Sequence, residues 1–325
     1  MTHPPHGHPI ARACHLATLA LGLIAWIAPA ARAAEMWRPD HPLRRIKTEK
    51  LTYRVQAWAG SRSLAVTLGT AAFTLSRQTH HGEPCLVVKA HASGGVPRIY
   101  PYEATITAIL RQTDLRQLIS DQQRIKRSYN RRMVRFRDGG ADYLKHTHCF
   151  APTLCHNPRH MVPGPNGKPV HCTDCKNPDH YVWSLRKRHH FPGRLHGFIG
   201  ATYLARGLPL AIGGPAHAFR VVQVRYLWEL TVRAVKEETV TVPAGTIRCL
   251  KIAITQTPLN DEARRSAGSF EGPFGLHGDI HLYVDKLAKH PVLVRGKVKL
   301  GSTFDIAVAL THRSVEPLPK APATP

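Results

Sequence analysis

The sequence predicts a mainly β protein: an antiparallel meander curled into a barrel, half-barrel or sandwich, with one short helix and a Cys/His-rich insertion. Three observations carry that prediction. Apolar and polar residues alternate with period two through most of the chain, as in Leu51, Tyr53, Val55 and Ala57 against Thr52, Arg54 and Gln56. Turn-forming residues follow the alternating runs at short intervals, and strands never alternate with helices in the doubly wound manner. Cys149, Cys155, Cys172 and Cys175 fall in one proline-rich stretch, 146–190, that interrupts the pattern.

The first thirty-three residues read as a separate element. Arg12 precedes an apolar run ended by Pro29, and Ala31-Arg-Ala33 supplies the small residues of a secretory cleavage site. The expected organisation is a signal peptide at 1–33, one β domain at 34–315 interrupted by the insertion at 146–190, and a disordered proline-rich tail at 316–325. Export to the periplasm or outer envelope of a bacterium follows. It makes nucleic acid a poor partner and opens the way to disulfides.

Trp37–Lys50 forms a polar entry with Pro39 and Pro42. After the first strand, Leu64, Val66 and Leu68 alternate, Gly69 interrupts, and Phe73 and Leu75 resume. Strands are expected at 85–91, 104–110, 117–126 and 131–137, the last two forming a basic hairpin with one wet face. Leu195, Phe198, Ile199 and Tyr203 repeat at helical spacing, and Gly207 stands where a helix C-terminal glycine belongs. The clearest strand places Val222, Val224, Tyr226, Trp228, Leu230, Val232 and Ala234 at every second position. Pro243-Ala-Gly245 turns into a strand at 247–254, a loop covers 259–278, and strands follow at 280–284, 292–298 and 304–310.

Leu51-Thr-Tyr-Arg-Val-Gln-Ala-Trp58, Thr239-Val-Thr-Val-Pro-Ala-Gly-Thr-Ile-Arg-Cys-Leu-Lys-Ile252, His290-Pro-Val-Leu-Val294 and Gly301-Ser-Thr-Phe304 resemble the exported bacterial domain-of-unknown-function family 3108. The helical Tyr203-Leu-Ala-Arg-Gly-Leu-Pro-Leu210 fits the middle of that family, and the likeness spans roughly 50–312. It implies an envelope-located β domain and supplies no catalytic residue. The Cys/His block departs from the usual member, where a short connection would serve.

That block has few large apolar residues and six prolines, so apolar burial alone does not offset the entropy of ordering it. Two staples are available. Cys149, Cys155, Cys172 and Cys175 can hold one structural zinc ion, with His148 or His171 in place of one thiolate. The same cysteines can instead oxidise in pairs, with three pairings open. The five residues between Cys149 and Cys155 are loose for a zinc knuckle, and the two between Cys172 and Cys175 are tight for a disulfide. Cys85 and Cys249 lie in expected strands, either as buried thiols or as a strand-to-strand disulfide.

The formal net charge is +24; the leader carries Arg12, Arg32 and no acid, so its removal leaves +22. Such a surface attracts anionic lipid or acidic polysaccharide. Arg124, Lys126, Arg127, Arg131, Arg132, Arg135 and Arg137 of the basic hairpin are the candidate polyanion contact, against the plainer reading of a solvated strand face. H-E-x-x-H, G-x-S-x-G, phosphate-loop and dinucleotide motifs are missing, and Ser184-Leu-Arg-Lys187 lacks the companions of a serine acyl-enzyme. This weighs against an enzyme. The favoured expectation is a non-catalytic envelope protein binding an apolar or anionic component, lipid or polysaccharide, which requires a continuous apolar concavity. The alternatives are a metal- or thiol-dependent protein working through the Cys/His block, and a hydrolase of unrecognised motif.

Overall fold

The structure is a computed structural model that describes residues 40–58, 65–96, 100–125, 129–148, 161–163, 169–171, 181–265, 272, 276–300 and 302–319. A 3-10 turn, Pro42–Arg45, opens it, with the Leu43 amide donating to His41 Nδ1 at 3.2 Å. Seven strands follow: β1 Ile46–Trp58, β2 Val66–His80, β3 Glu83–Val96, β4 Tyr100–Arg111, β5 Gln117–Ile125, β6 Tyr129–Arg137 and β7 Gly140–His148. The miniature pair β8 Met161–Pro163 and β9 Pro169–His171 stands apart, and β10 Tyr181–His190 returns to the sheet. Helix α1, Phe198–Ala205, precedes β11 His217–Gln223, β12 Tyr226–Val242 and β13 Gly245–Pro258. The short helix α2, Asp261–Arg265, leads to β14 His277–Asp285, β15 Pro291–Leu300 and β16 Ser302–Pro317.

Among the described residues these strands make one 14-stranded antiparallel sheet in the order β10-β7-β6-β5-β4-β3-β2-β1-β16-β15-β14-β13-β12-β11. The first and last strands pair in its middle, Leu51 opposite Arg313 and Val55 opposite Val308. The two free edges are β10 and β11, which are consecutive in the large sheet's chain order. The mainly β, barrel-like expectation holds, and the sheet is left open at that one seam.

One face of the sheet is the core. Leu86, Val88 and Ala90 of β3, Ile106, Ala108 and Leu110 of β4, and Trp228, Leu230 and Val232 of β12 are buried at every second position. Ile199, Ala201, Tyr203 and Leu204 of α1 belong to the same apolar cluster, so the helix lies in the concavity of the sheet. Among the described residues the continuous apolar concavity that the binding expectation required is not found, because α1 fills it and leaves only a small cavity beside it.

Several expected elements shift. β1 begins at Ile46, inside the stretch expected as a polar entry, and β2 runs unbroken through Gly69. Gly69 faces Gly94 because a Cβ on it would sit 2.1 Å from the Ser93 carbonyl oxygen. The single long strand expected at 222–234 is two, β11 and β12, hinged at Val224-Arg225, with Gln223 opposite Tyr226. The two-residue turn inverts the odd–even parity, Val221 sharing the face of Trp228 and Val222 that of Leu227; the alternation ran on in the sequence because Val221 and Val222 are both apolar. Leu195 lies outside α1, and Gly207 is no left-handed cap: a Cβ there would stand 1.9 Å from His41 Cδ2. The loop expected at 259–278 contains α2 and the start of β14. The tail expected from Glu316 is still strand there, with Glu316 taking hydrogen bonds from Lys47 Nζ (2.7 Å) and Thr48 Oγ1 (3.1 Å). The insertion is shorter than 146–190, since 146–148 finish β7 and 181–190 form β10, with Tyr181 opposite His148.

Candidate functional site

Strand parity sorts the basic hairpin into two faces. Along β5, Ser120, Gln122 and Arg124 share the side of Ala108, Ile106 and Ala104, their partners in β4, and so point into the concavity. Along β6, Arg132 pairs with Gln122 and Val134 with Ser120, and they point the same way. Arg131, Arg135 and Arg137 alternate with them and face outward. The single contact surface expected from sequence is thus divided, and Lys126 and Arg127 lie outside the described residues.

The inward set lines a cavity of about 70 Å3. Its polar wall is Ser120, Gln122, Arg124 and Arg132; its apolar wall is Phe198 and Ile199 of α1 with Val221 and Val222 of β11. In the amide orientation that satisfies its neighbours, Gln122 Oε1 accepts from Arg124 Nε and an Nη of the same side chain at 2.9 Å each. Arg132 Nε donates to Asn130 Oδ1 at 3.1 Å. Gln122 and Asn130 thus help to orient the two guanidiniums.

Gln117 fixes the helix that forms the opposite wall. It is fully buried; its Oε1 accepts from the Gly197 amide at the α1 N-terminus (2.7 Å), and its Nε2 donates to the Ile119 carbonyl (3.1 Å). A Cβ on Gly200 would fall 2.0 Å from Gln117 Oε1, so glycine there lets α1 press onto β5.

The seam closes one side of the cavity. His196, just before α1, bridges to β11: its amide donates to the Arg220 carbonyl (2.9 Å), and the Val222 amide donates to its carbonyl (2.8 Å). His189 Nε2 of β10 donates to the Val224 carbonyl at 3.0 Å. Burial holds both imidazoles neutral, lowering the His189 pKa and taking that of His196 down to about 4. Val224 has φ +61°, costly for a β-branched residue, and the hairpin turn and the His189 bond hold it there. Lys187 of β10 and Glu262 of α2 add an ion pair at 2.5 Å, whose hydrogen bond holds the Glu262 carboxyl below its usual range.

A second polar centre lies deeper, and sequence reasoning missed it. Glu49 of β1 and Arg206 after α1 form a two-pronged ion pair at 2.5 and 3.0 Å with both side chains buried. Burial works against the Arg206 charge, but the Glu49 carboxylate outweighs it and the pKa is raised. Arg206 lies over the Tyr203 ring at 5.3 Å, and Arg313 Nε approaches Glu49 at 3.8 Å. Glu49 shares its strand face with Leu51 and Tyr53, so a charged residue at an inward position was the available signal.

The remaining expected site residues are placed as follows. Cys85 in β3 and Cys249 in β13 are free, fully buried thiols, so no disulfide joins them; six places apart in the strand order, they act as small core residues. Burial raises both thiol pKa values, that of Cys249 to about 12, which makes them poor nucleophiles. Cys149, Cys155, Cys172 and Cys175 lie outside the described residues, while His148 and His171 end β7 and β9. Among the described residues no group of three or more His, Cys, Asp or Glu side chains is arranged to hold a metal ion. Among them, too, no helix is long and apolar enough to cross a membrane.

No protein-family model matches the chain, so the likeness to family 3108 rests on the residues quoted for it. No curated protein matches it. Among solved structures it is similar to a β-barrel-like protein of the domain-of-unknown-function family DUF1849 from Brucella abortus, with 7% identity and a TM-score of 0.47 over 84% of this chain and 99% of that one. It is more distantly similar to a candidate lipoprotein from Parabacteroides distasonis, with 7% identity and a TM-score of 0.31 over 83% of this chain and 96% of that one. Likenesses of this size say nothing of function.

Proposed function

We propose that the chain is an exported, non-catalytic envelope protein of the family 3108 kind that binds an anionic amphiphile at the seam cavity. The observation that supports this reading is the pair of arginines, Arg124 and Arg132, turned onto the concave face opposite an apolar wall. An acidic head group finds two guanidinium forks and the Ser120 hydroxyl on one side, while methylenes meet Phe198, Ile199 and Val221 on the other. Whole-ligand sites usually measure about 300–1,000 Å3, so a cavity of about 70 Å3 takes the head group and first carbons, the rest of the chain lying outside. A sugar polymer lacks the apolar segment this wall would cover, which favours lipid over polysaccharide. In the same reading the insertion is a structural appendage held by one zinc ion or by disulfides; elemental analysis and intact mass separate the two.

The test is calorimetric binding of dodecyl phosphate, with dodecanol as the uncharged comparison. The double variant Arg124→Gln/Arg132→Gln is expected to bind dodecyl phosphate at least about a hundredfold more weakly, since each charged hydrogen bond contributes roughly 1.5–3 kcal/mol. Outward-facing Arg135→Gln/Arg188→Gln is expected to bind like the parent. Equal binding by all three proteins sinks the cavity as the site.

A further inference from the structure

The outer face of the strands that line the cavity carries a different arrangement. Cross-strand register places Met133 of β6 opposite Leu144 of β7, and Leu144 opposite Leu185 of β10, in one outward row. Leu185 is 46% exposed. One row along, Arg131, His146 and Trp183 are successive partners. The His146 and Trp183 rings stack at 4.6 Å, and the Arg131 guanidinium lies over the indole at 5.4 Å. An apolar strip with a half-buried tryptophan at its end thus stands open on the outside of the sheet.

Charge surrounds the strip asymmetrically. Arg131, Arg135, Arg137 and Arg188 face outward around it, and the acids among them are Asp121 and Asp142. Asp121 is taken by Arg131 at 2.5 Å, and Asp142 is shared by Arg137 (3.3 Å) and Arg188 (3.7 Å). Arg135 lies along Met133, its Nε 3.4 Å from the thioether sulfur. Four cations against two anions leave a surplus of two positive charges around exposed Leu185 and half-buried Met133, Leu144 and Trp183.

From this the geometry points to a bilayer-docking face: the outer side of β6, β7 and β10 rests on a membrane surface rich in anionic lipid. Tryptophan and arginine are side chains that settle at the head-group level, with an apolar body below and a polar or charged tip above. The arginines match the negative head groups, and Leu185 and Leu144 reach the acyl boundary. A soluble protein partner would not require the pairing of apolar strip and unbalanced basic rim. The inference rests on the envelope placement proposed above but uses the opposite face of the same strands, so it stands or falls apart from the cavity.

The experiment is co-sedimentation of the purified protein with vesicles of phosphatidylcholine alone and with one-third phosphatidylglycerol. The parent is expected to partition selectively onto the phosphatidylglycerol vesicles, and less as salt rises. Arg135→Gln/Arg188→Gln is expected to bind them on the order of twentyfold more weakly, about fivefold per charge. Leu185→Ser, exposed and so neutral to folding, is expected to weaken binding severalfold at unchanged charge. Lys50→Gln/Arg54→Gln, with the same charge lost from exposed positions of β1, is expected to bind vesicles like the parent. Equal loss in both charge pairs assigns the effect to net charge and overturns the docking face. So does equal binding to both vesicle types, or a self-association that Leu185→Ser abolishes, which would make a second copy the occupant.

Discussion

Replacing Glu49 with glutamine is the sharpest test of what holds α1 inside the sheet. The substitution keeps the side chain's shape and removes the charge facing Arg206, whose side chain is 2% exposed. Arg206 would then be a buried guanidinium without an anion, the situation that costs about 3–5 kcal/mol when one partner of a buried pair is removed. The opposite change, Arg206→Met, strands Glu49 instead, but Arg313 is 3.8 Å away and its side chain is 32% exposed, so it can turn inward and compensate. Glu49→Gln should therefore sit near about 5 kcal/mol and Arg206→Met near about 3 kcal/mol. Glu49→Leu/Arg206→Met, which leaves no buried charge, should recover most of the loss. Urea unfolding followed by tryptophan fluorescence reads all three, provided the slope with denaturant stays constant. A double variant as unstable as the worse single one would refute the reasoning, and so would a Glu49→Gln loss below about 1 kcal/mol, the scale of an exposed pair.

Two further outcomes follow from the same interior. Burial lowers the pKa of His41, His196 and His290 from 6.5 to about 4 in the folded state, so the unfolded chain takes up their protons first as pH falls. Their contribution to stability is present above about pH 6.5 and is lost between there and pH 4, at up to about 4 kcal/mol per pH unit for three protons; urea midpoints across that range check it, and His196→Phe/His290→Phe should flatten the slope. Gly207→Ala drives a methyl into His41, whose ring is buried and bonded to the Leu43 amide. It should cost about 1–3 kcal/mol by thermal melting, and an unchanged melting temperature would show that His41 moves aside freely.

What the sequence displayed was parity. β1 was legible because Leu51, Tyr53 and Val55 alternate with Thr52, Arg54 and Gln56, whereas both faces of β5 are mostly polar, Ile119, Asp121 and Gln123 against Ser120, Gln122 and Arg124. The hairpin at Val224-Arg225 was hidden because Val221 and Val222 are both apolar, so the inversion of parity at the turn left no mark, and neither turn residue favours a turn. Parity could also have divided the basic hairpin, but only once β4 showed which side was buried. The Glu49–Arg206 pair was beyond reach because its partners are 157 residues apart and meet only after the sheet has curled around α1. Gly207 was found for the wrong reason: the position demanded the absence of a side chain, and no special backbone angle.

The pairing of β1 with β16 also sets the order in which the molecule can be completed. Among the described strands β1 is the first made and β16 the last, so one edge of β1 lacks the partner seen here until β16 is made. Contacts between residues so distant in sequence form late and slowly, because the chain closes its longest loop to make them. Until β16 is made, the growing chain thus presents an incomplete half-sheet with an open strand edge. Such an edge templates pairing with other chains, so the protein depends on being shielded between the arrival of β1 and the arrival of β16. Truncation by a single C-terminal strand accordingly reopens the middle of the sheet, where most meanders would lose only a border.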